Sequence, residues 1–65
     1  MLANQIEVGK TYEIRHHDGQ LYTVKVEYLK TYGIVRTLTH YMCTKLATGR
    51  TIEVKSAAKF RREVL

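Results

Sequence analysis

The chain has 65 residues, 45% hydrophobic and 26% charged, with a formal net charge of +5 and one cysteine. That length corresponds to one domain, residues 1–65, which buries only about 60% of the surface its unfolded chain exposes and so has a thin core. The composition excludes disorder, no run approaches the roughly 18 apolar residues of a membrane span, and Cys43 can form no internal disulfide. Met1 to Glu7 shows neither the basic start nor the apolar run of a secretory signal. A lone cysteine on a strand reads as a small hydrophobe in a reducing compartment. The expected location is the cytoplasm, with no membrane partner.

Gly9 to His16 alternates. Tyr12 and Ile14 fall on one side, joined by Val8 through parity, and Thr11, Glu13 and Arg15 fall on the other. The next run is cleaner: Tyr22, Val24, Val26 and Tyr28 share a face, and Thr23, Lys25, Glu27 and Leu29 share the opposite one. A period of two in β-branched and aromatic residues predicts a strand. Between these runs lies His17-Asp18-Gly19. Residues facing each other across an antiparallel pair share a side of the sheet. A two-residue loop would set Tyr12 and Ile14 against the wrong face. A three-residue loop pairs His16 with Gln20, Ile14 with Tyr22 and Tyr12 with Val24. It predicts a type I turn with a G1 bulge at Gly19.

Gly33 interrupts Leu29 to Arg36, as a tight turn or as the tip of a long hairpin. Thr37 to Leu46 favours a strand but is apolar on both sides: Leu38, His40, Met42 and Leu46 share one, Tyr41 and Cys43 the other. Ile52 and Val54 point inward from a strand over Thr51 to Lys55. A three-residue loop at Ala47-Thr48-Gly49 pairs Met42 with Val54 and Leu46 with Arg50, which places Leu38, His40 and Met42 in the core. A two-residue Thr48-Gly49 loop would place Tyr41 and Cys43 there instead; the three-residue form is the expectation. After Ser56, a helix N-cap residue, two forms compete. One is a 3-10 turn over Ser56–Lys59 and a last strand over Phe60–Val64. The other is a terminal helix from Ala57 that sets Ala57, Phe60 and Val64 on one side.

Four longer strands, two glycine hairpins and a 3-10 turn before a short fifth strand resemble the SH3-like small barrel, whose members include Tudor, KOW and chromatin-type modules. The resemblance covers about Val8 to Val64 and implies an all-β, five-stranded closed barrel with a 3-10 turn before the last strand. Closure would hide the sheet edges of so small a domain.

Chemistry-bearing residues are sparse. His16 and His17 point to opposite faces if the strand continues through them, and His40 and Cys43 also face opposite sides, so neither a metal set nor a thiol nucleophile with its base is assembled. The six carboxylates are scattered, and the glycines punctuate turns rather than cradle a phosphate. No cofactor and no enzymatic activity are expected. The basic residues point to function. Arg50, Lys55, Lys59, Arg61 and Arg62 form one group, with Arg50 across the last hairpin from the others; Lys30 and Arg36 form a second, with Tyr32. Cations in a connected patch with exposed aromatics (Tyr32 and Tyr41, since Tyr12, Tyr22 and Tyr28 read as core) suit electrostatic binding of nucleic acid, DNA or RNA, with low sequence specificity. The alternative is a protein-interaction subunit or inhibitor that docks Leu29–Leu46 on an acidic or apolar protein surface, since Leu29, Ile34 and Val35 have no evident place in the core. A thin core also gains stability from association, which makes a homodimer an expected assembly.

Overall fold

The alternating runs become strands in the computed structural model, which describes residues 1–65. They are β1 (Thr11–Arg15), β2 (Leu21–Tyr32), β3 (Leu38–Lys45), β4 (Thr51–Val54) and β5 (Phe60–Glu63), with 3-10 turns at Ala3–Gln5 and Ala57–Lys59. They make one antiparallel sheet in the order β4-β3-β2-β1-β5. There is no α-helix, so the terminal-helix form is set aside. Ser56 Oγ accepts from the Ala58 amide at 3.2 Å, the short 3-10 turn follows, and Phe60 opens the last strand.

The first hairpin has the expected register. Tyr12 pairs with Val24 and Ile14 with Tyr22, and the His16 amide bonds to the Gln20 carbonyl. Gly19 has φ +80°, a left-handed conformation that a residue with a Cβ adopts only at a cost. Asp18 supports the turn by accepting from the Gln20 amide at 2.8 Å.

The second hairpin differs. Tyr41 pairs with Val54, Met42 with Glu53 and Cys43 with Ile52. The Lys45 amide bonds to the Arg50 carbonyl, and the Gly49 amide returns to the Lys45 carbonyl, so the loop is the four residues Leu46 to Gly49. Four residues have the parity of two, not of three. The core therefore takes Tyr41 and Cys43, while Leu38, His40 and Met42 turn to the other side of the sheet. Tyr41 is excluded as an exposed aromatic.

A second parity change explains Tyr28. Val26 pairs with Cys43, but Tyr28 pairs with Met42, so Glu27 is the extra residue of a bulge in β2. Beyond it the sides exchange. Leu29 now lies with Tyr41, whereas Tyr28, Lys30 and Tyr32 stand opposite Met42, His40 and Leu38 on the outer side. Tyr28 is half-exposed rather than core. Val8 is also exposed, because it lies in a turn before β1 where strand alternation does not apply.

Nine of the 65 residues are buried: Ile6, Tyr12, Ile14, Val24, Val26, Tyr41, Cys43, Val54 and Phe60. Phe60 lies edge-on to both Tyr12 and Tyr41, with ring centroids 5.4 Å and 5.0 Å apart. The sheet thus curls until β5 packs over β3. It does not close: β4 and β5 are its two edges and do not pair. The N-terminal segment contributes Ile6 to the core and binds the Tyr12 hydroxyl, which donates to the Gln5 carbonyl at 3.3 Å and accepts from the Glu7 amide at 2.8 Å.

Candidate functional site

Basic side chains from three places meet where the sheet stays open. The β1–β2 turn brings His16 and His17, the end of β4 brings Lys55, and the 3-10 turn before β5 brings Lys59. With Glu53 and Val54 they line a cleft of about 420 Å³. A neighbouring hollow of about 440 Å³ shares His16, His17 and Lys59 and adds Arg15, Gly19, Ser56 and Ala58. The two imidazoles do not lie on opposite faces. β1 ends at Arg15, so alternation stops before them, and their ring centroids are 4.2 Å apart. No set of three or more His, Cys, Asp or Glu side chains converges there or elsewhere.

His16 feels both burial and its basic neighbours. Burial lowers the His16 pKa first, the charge on His17 lowers it further, and Lys45 and Lys59 act in the same direction against Asp18. Asp18 is engaged elsewhere. It accepts from the Tyr22 hydroxyl at 2.6 Å and the Gln20 amide, contacts that hold its carboxyl below the ordinary aspartate range. Lys45 lies over the Tyr22 ring, 3.8 Å from its centroid.

The C-terminal basic group divides. Lys55 and Lys59 face the cleft and make no ion pair. Arg61 and Arg62 both turn to Glu13 on β1, at 3.6 Å and 3.4 Å. Their charge is partly offset, though at the surface such pairs are weak and easily exchanged. Arg50 precedes β4, on the sheet edge opposite β5 in strand order, and does not line the cleft. Lys30, Arg36 and Tyr32 are all in the distal β2–β3 hairpin and do not line the cleft, although Glu53, which does, accepts from the Tyr32 hydroxyl. The predicted residues therefore form two regions, not one.

The second region is a two-stranded ribbon. β1 pairs with β2 only as far as Lys25, and β4 pairs with β3 only back to Tyr41. Beyond those points Lys30–Tyr32 and Leu38–His40 pair only with each other, while Tyr28 and Leu29 pair with Met42 and Tyr41 at the ribbon's base. Tyr28, Leu29, Tyr32 and Leu38 are exposed along the ribbon, and Ile34 and Val35 are fully exposed at its tip. Gly33 makes the tip turn with φ +99°, and a Cβ there would overlap the Arg36 carbonyl oxygen. On the outer side, Glu53 Oε2 accepts from His40 Nδ1 at 2.8 Å and from the Tyr32 hydroxyl at 3.2 Å. These contacts, His40 first, hold its carboxyl below the ordinary glutamate range against the effect of burial. The Tyr32 and His40 ring centroids are 4.6 Å apart.

Cys43 is fully buried, and burial with the nearby Glu27 charge pushes its thiol up to about 12. It is a core side chain, since nucleophilic chemistry requires thiolate. Sequence reasoning weighed His16 and His17 only as metal ligands, and it missed Arg15 and Tyr28 as surface residues of interest. One signal for the ribbon and the strand beyond it was present: from Tyr28 through Ile52 there is no Asp or Glu, and the charged residues are Lys30, Arg36, Lys45 and Arg50. Against known proteins the chain matches no family model, no curated relative and no solved structure.

Proposed function

We propose that this chain is a non-enzymatic binding module, built on an SH3-like small barrel, that holds nucleic acid electrostatically with low sequence specificity. The supporting observation is the convergence of Lys55, Lys59, Arg15, His16 and His17 on adjoining clefts where the only carboxylate is Glu53. A phosphate there meets cations from several parts of the chain at once, which scattered surface lysines do not offer. The strand order β4-β3-β2-β1-β5, with a 3-10 turn before the last strand, supports the small-barrel reading.

The test is fluorescence anisotropy with mixed-sequence DNA and RNA at two salt concentrations. Affinity should fall steeply as salt rises, because each neutralised phosphate releases counterions. Lys55→Glu with Lys59→Glu should weaken binding at least tenfold and flatten the salt slope, by ~0.7 per lysine on single strands. Arg61→Ala with Arg62→Ala should do less, because Glu13 already shares their charge. Absence of binding at low salt removes the proposal.

Docking on a protein surface through Leu29–Leu46 is the second reading. It is favoured by the full exposure of Ile34 and Val35 and by a ribbon with neither edge paired.

A further inference from the structure

We infer that the outer side of the β2–β3 ribbon is a stacking platform for unpaired bases, with Tyr28 and Tyr32 as the rings and Lys30 between them. The inference rests on the nucleic-acid reading above and specifies single strands as the ligand. It begins with the bulge at Glu27. Without the extra residue Tyr28 would continue the inward row of Val24 and Val26. With it, Tyr28, Lys30 and Tyr32 share the outer side, two residues apart, so the two rings stand about 13 Å apart along the strand. Bulges commonly re-aim a side chain at a functional surface. Tyr28 and Tyr32 are 49% and 42% exposed; the Tyr32 ring leans on His40, with centroids 4.6 Å apart, and a base would meet the area that remains open.

The surroundings suit a polyanion. Lys30 stands opposite His40 between the rings, and Arg36 lies at the tip. The ribbon itself carries no carboxylate, and the Glu53 carboxylate that reaches it from β4 is taken up by His40 and the Tyr32 hydroxyl. That contact also steadies the Tyr32 ring. A second copy of the chain would bring Lys30 against Lys30 or Arg36 with no acid on the ribbon to answer them. A nucleic-acid strand supplies phosphate for the cations and a π-face for each ring. Duplex bases are already stacked on one another, so the ribbon offers them only its charges. Stacking accepts any base, which agrees with low sequence specificity.

The experiment titrates the full chain with single-stranded and duplex DNA of the same mixed sequence. It follows ligand anisotropy and the intrinsic tyrosine emission, which no tryptophan obscures. Single strands should bind more tightly and quench the emission; duplex should not quench it. Tyr28→Ala and Tyr32→Ala should each weaken single-strand binding at least about fivefold, the lower end for the loss of one stacked base. They should leave the salt slope in place. Tyr28→Phe and Tyr32→Phe keep the rings and should restore most of the affinity, which separates stacking from hydroxyl contacts. Because both tyrosines are at the surface, circular dichroism should show all four variants folded. Salt-dependent binding that is indifferent to both alanine variants, or tighter for duplex, overturns the platform and leaves the electrostatic reading standing. No binding to any nucleic acid overturns both. A dimer in light scattering that the alanine variants dissociate, or salt-insensitive capture of a protein partner lost in the same variants, assigns the ribbon to a protein interface and also overturns the platform.

Discussion

Val26 and Tyr28 are two residues apart on β2, yet the first is fully buried and the second half-exposed. The same contrast divides the molecule. At one end β1, β4, β5 and the N-terminal segment surround the first half of β2 and the second half of β3, and the core residues of the sheet lie there. At the other end β2 and β3 continue alone to Gly33, with apolar and aromatic side chains on both sides and no further strand over them; only the Glu53 side chain reaches them from β4. Strand propensity and alternation are comparable in the two regions. They differ in whether a third and fourth strand arrive to cover a face. A two-stranded ribbon is at best marginally stable in water by itself. The core end therefore holds the ribbon, and the ribbon is the part left available to a ligand.

The strongest way to break this contrast is to empty the core. Phe60→Ala removes the ring that bridges Tyr12 and Tyr41 and should cost about 3–5 kcal/mol. A domain of this size has only about 3–10 kcal/mol in total. Thermal denaturation followed by circular dichroism should show the melting temperature lowered by at least about 12 °C, or no folded state at all, and a cooperative melt close to that of the parent would mean the core has been misplaced. On β2 itself, Val26→Ala should cost about 2 kcal/mol by loss of buried methyl groups. Tyr28→Ala should stay within about 0.5 kcal/mol. Equal costs for the two in a urea titration would erase the boundary drawn at the Glu27 bulge.

A deletion sharpens it further. Replacing Lys30–His40 by Asn-Gly joins the paired residues Leu29 and Tyr41 through a two-residue turn. The core end should remain folded, with the melting temperature moved by no more than about 4–8 °C, the equivalent of roughly 1 kcal/mol. Loss of the cooperative transition would show that the ribbon belongs to the folding unit. Gly33→Ala is the local counterpart. The added Cβ meets the Arg36 carbonyl at a positive φ, so the tip must rearrange. Amide chemical shifts should change from Tyr32 to Thr37 and stay constant in β1 and β5.

The smallest effect is titration of His16. Its folded pKa lies below the ordinary imidazole value, chiefly through burial and then through His17. The unfolded chain therefore takes up the proton first as pH falls. The contribution to stability is complete above the ordinary histidine range and is lost as pH drops through that range toward the folded value. The melting temperature should decline slightly on acidification below about pH 6.5, and His16→Asn should flatten the decline. Phosphate bound in the cleft would oppose it by favouring the imidazolium.

The strands and the first hairpin were legible because each depends on neighbours in the chain: alternation shows a half-buried strand, and a glycine with positive φ fits its turn. The Ser56 cap marked the turn before Phe60 but served a terminal helix equally well, and packing of Phe60 on Tyr12 and Tyr41 goes with the strand. Tyr41 and Cys43 were assigned to the wrong side because the loop at Leu46–Gly49 has one residue more than the glycine pattern suggested, and a strand apolar on both sides carries no local mark of which side is inward. Tyr28 was misplaced for a related reason. The bulge at Glu27 is visible only against the partner strand. Of the basic residues, their number and sign could be read directly, but not their grouping. Arg61 and Arg62 meet Glu13, and Lys55 and Lys59 meet His16 and His17, through contacts between segments far apart in sequence.

The order of residues alone determined that this chain is a basic, all-β domain with turns at Gly19 and Gly49, since backbone preference and period-two patterning act over a few residues. Tertiary structure alone decided which side of β3 enters the core, that the sheet stays open between β4 and β5, and which cations share a cleft. Those outcomes depend on pairing and packing across the whole chain, where one inserted residue reverses a face.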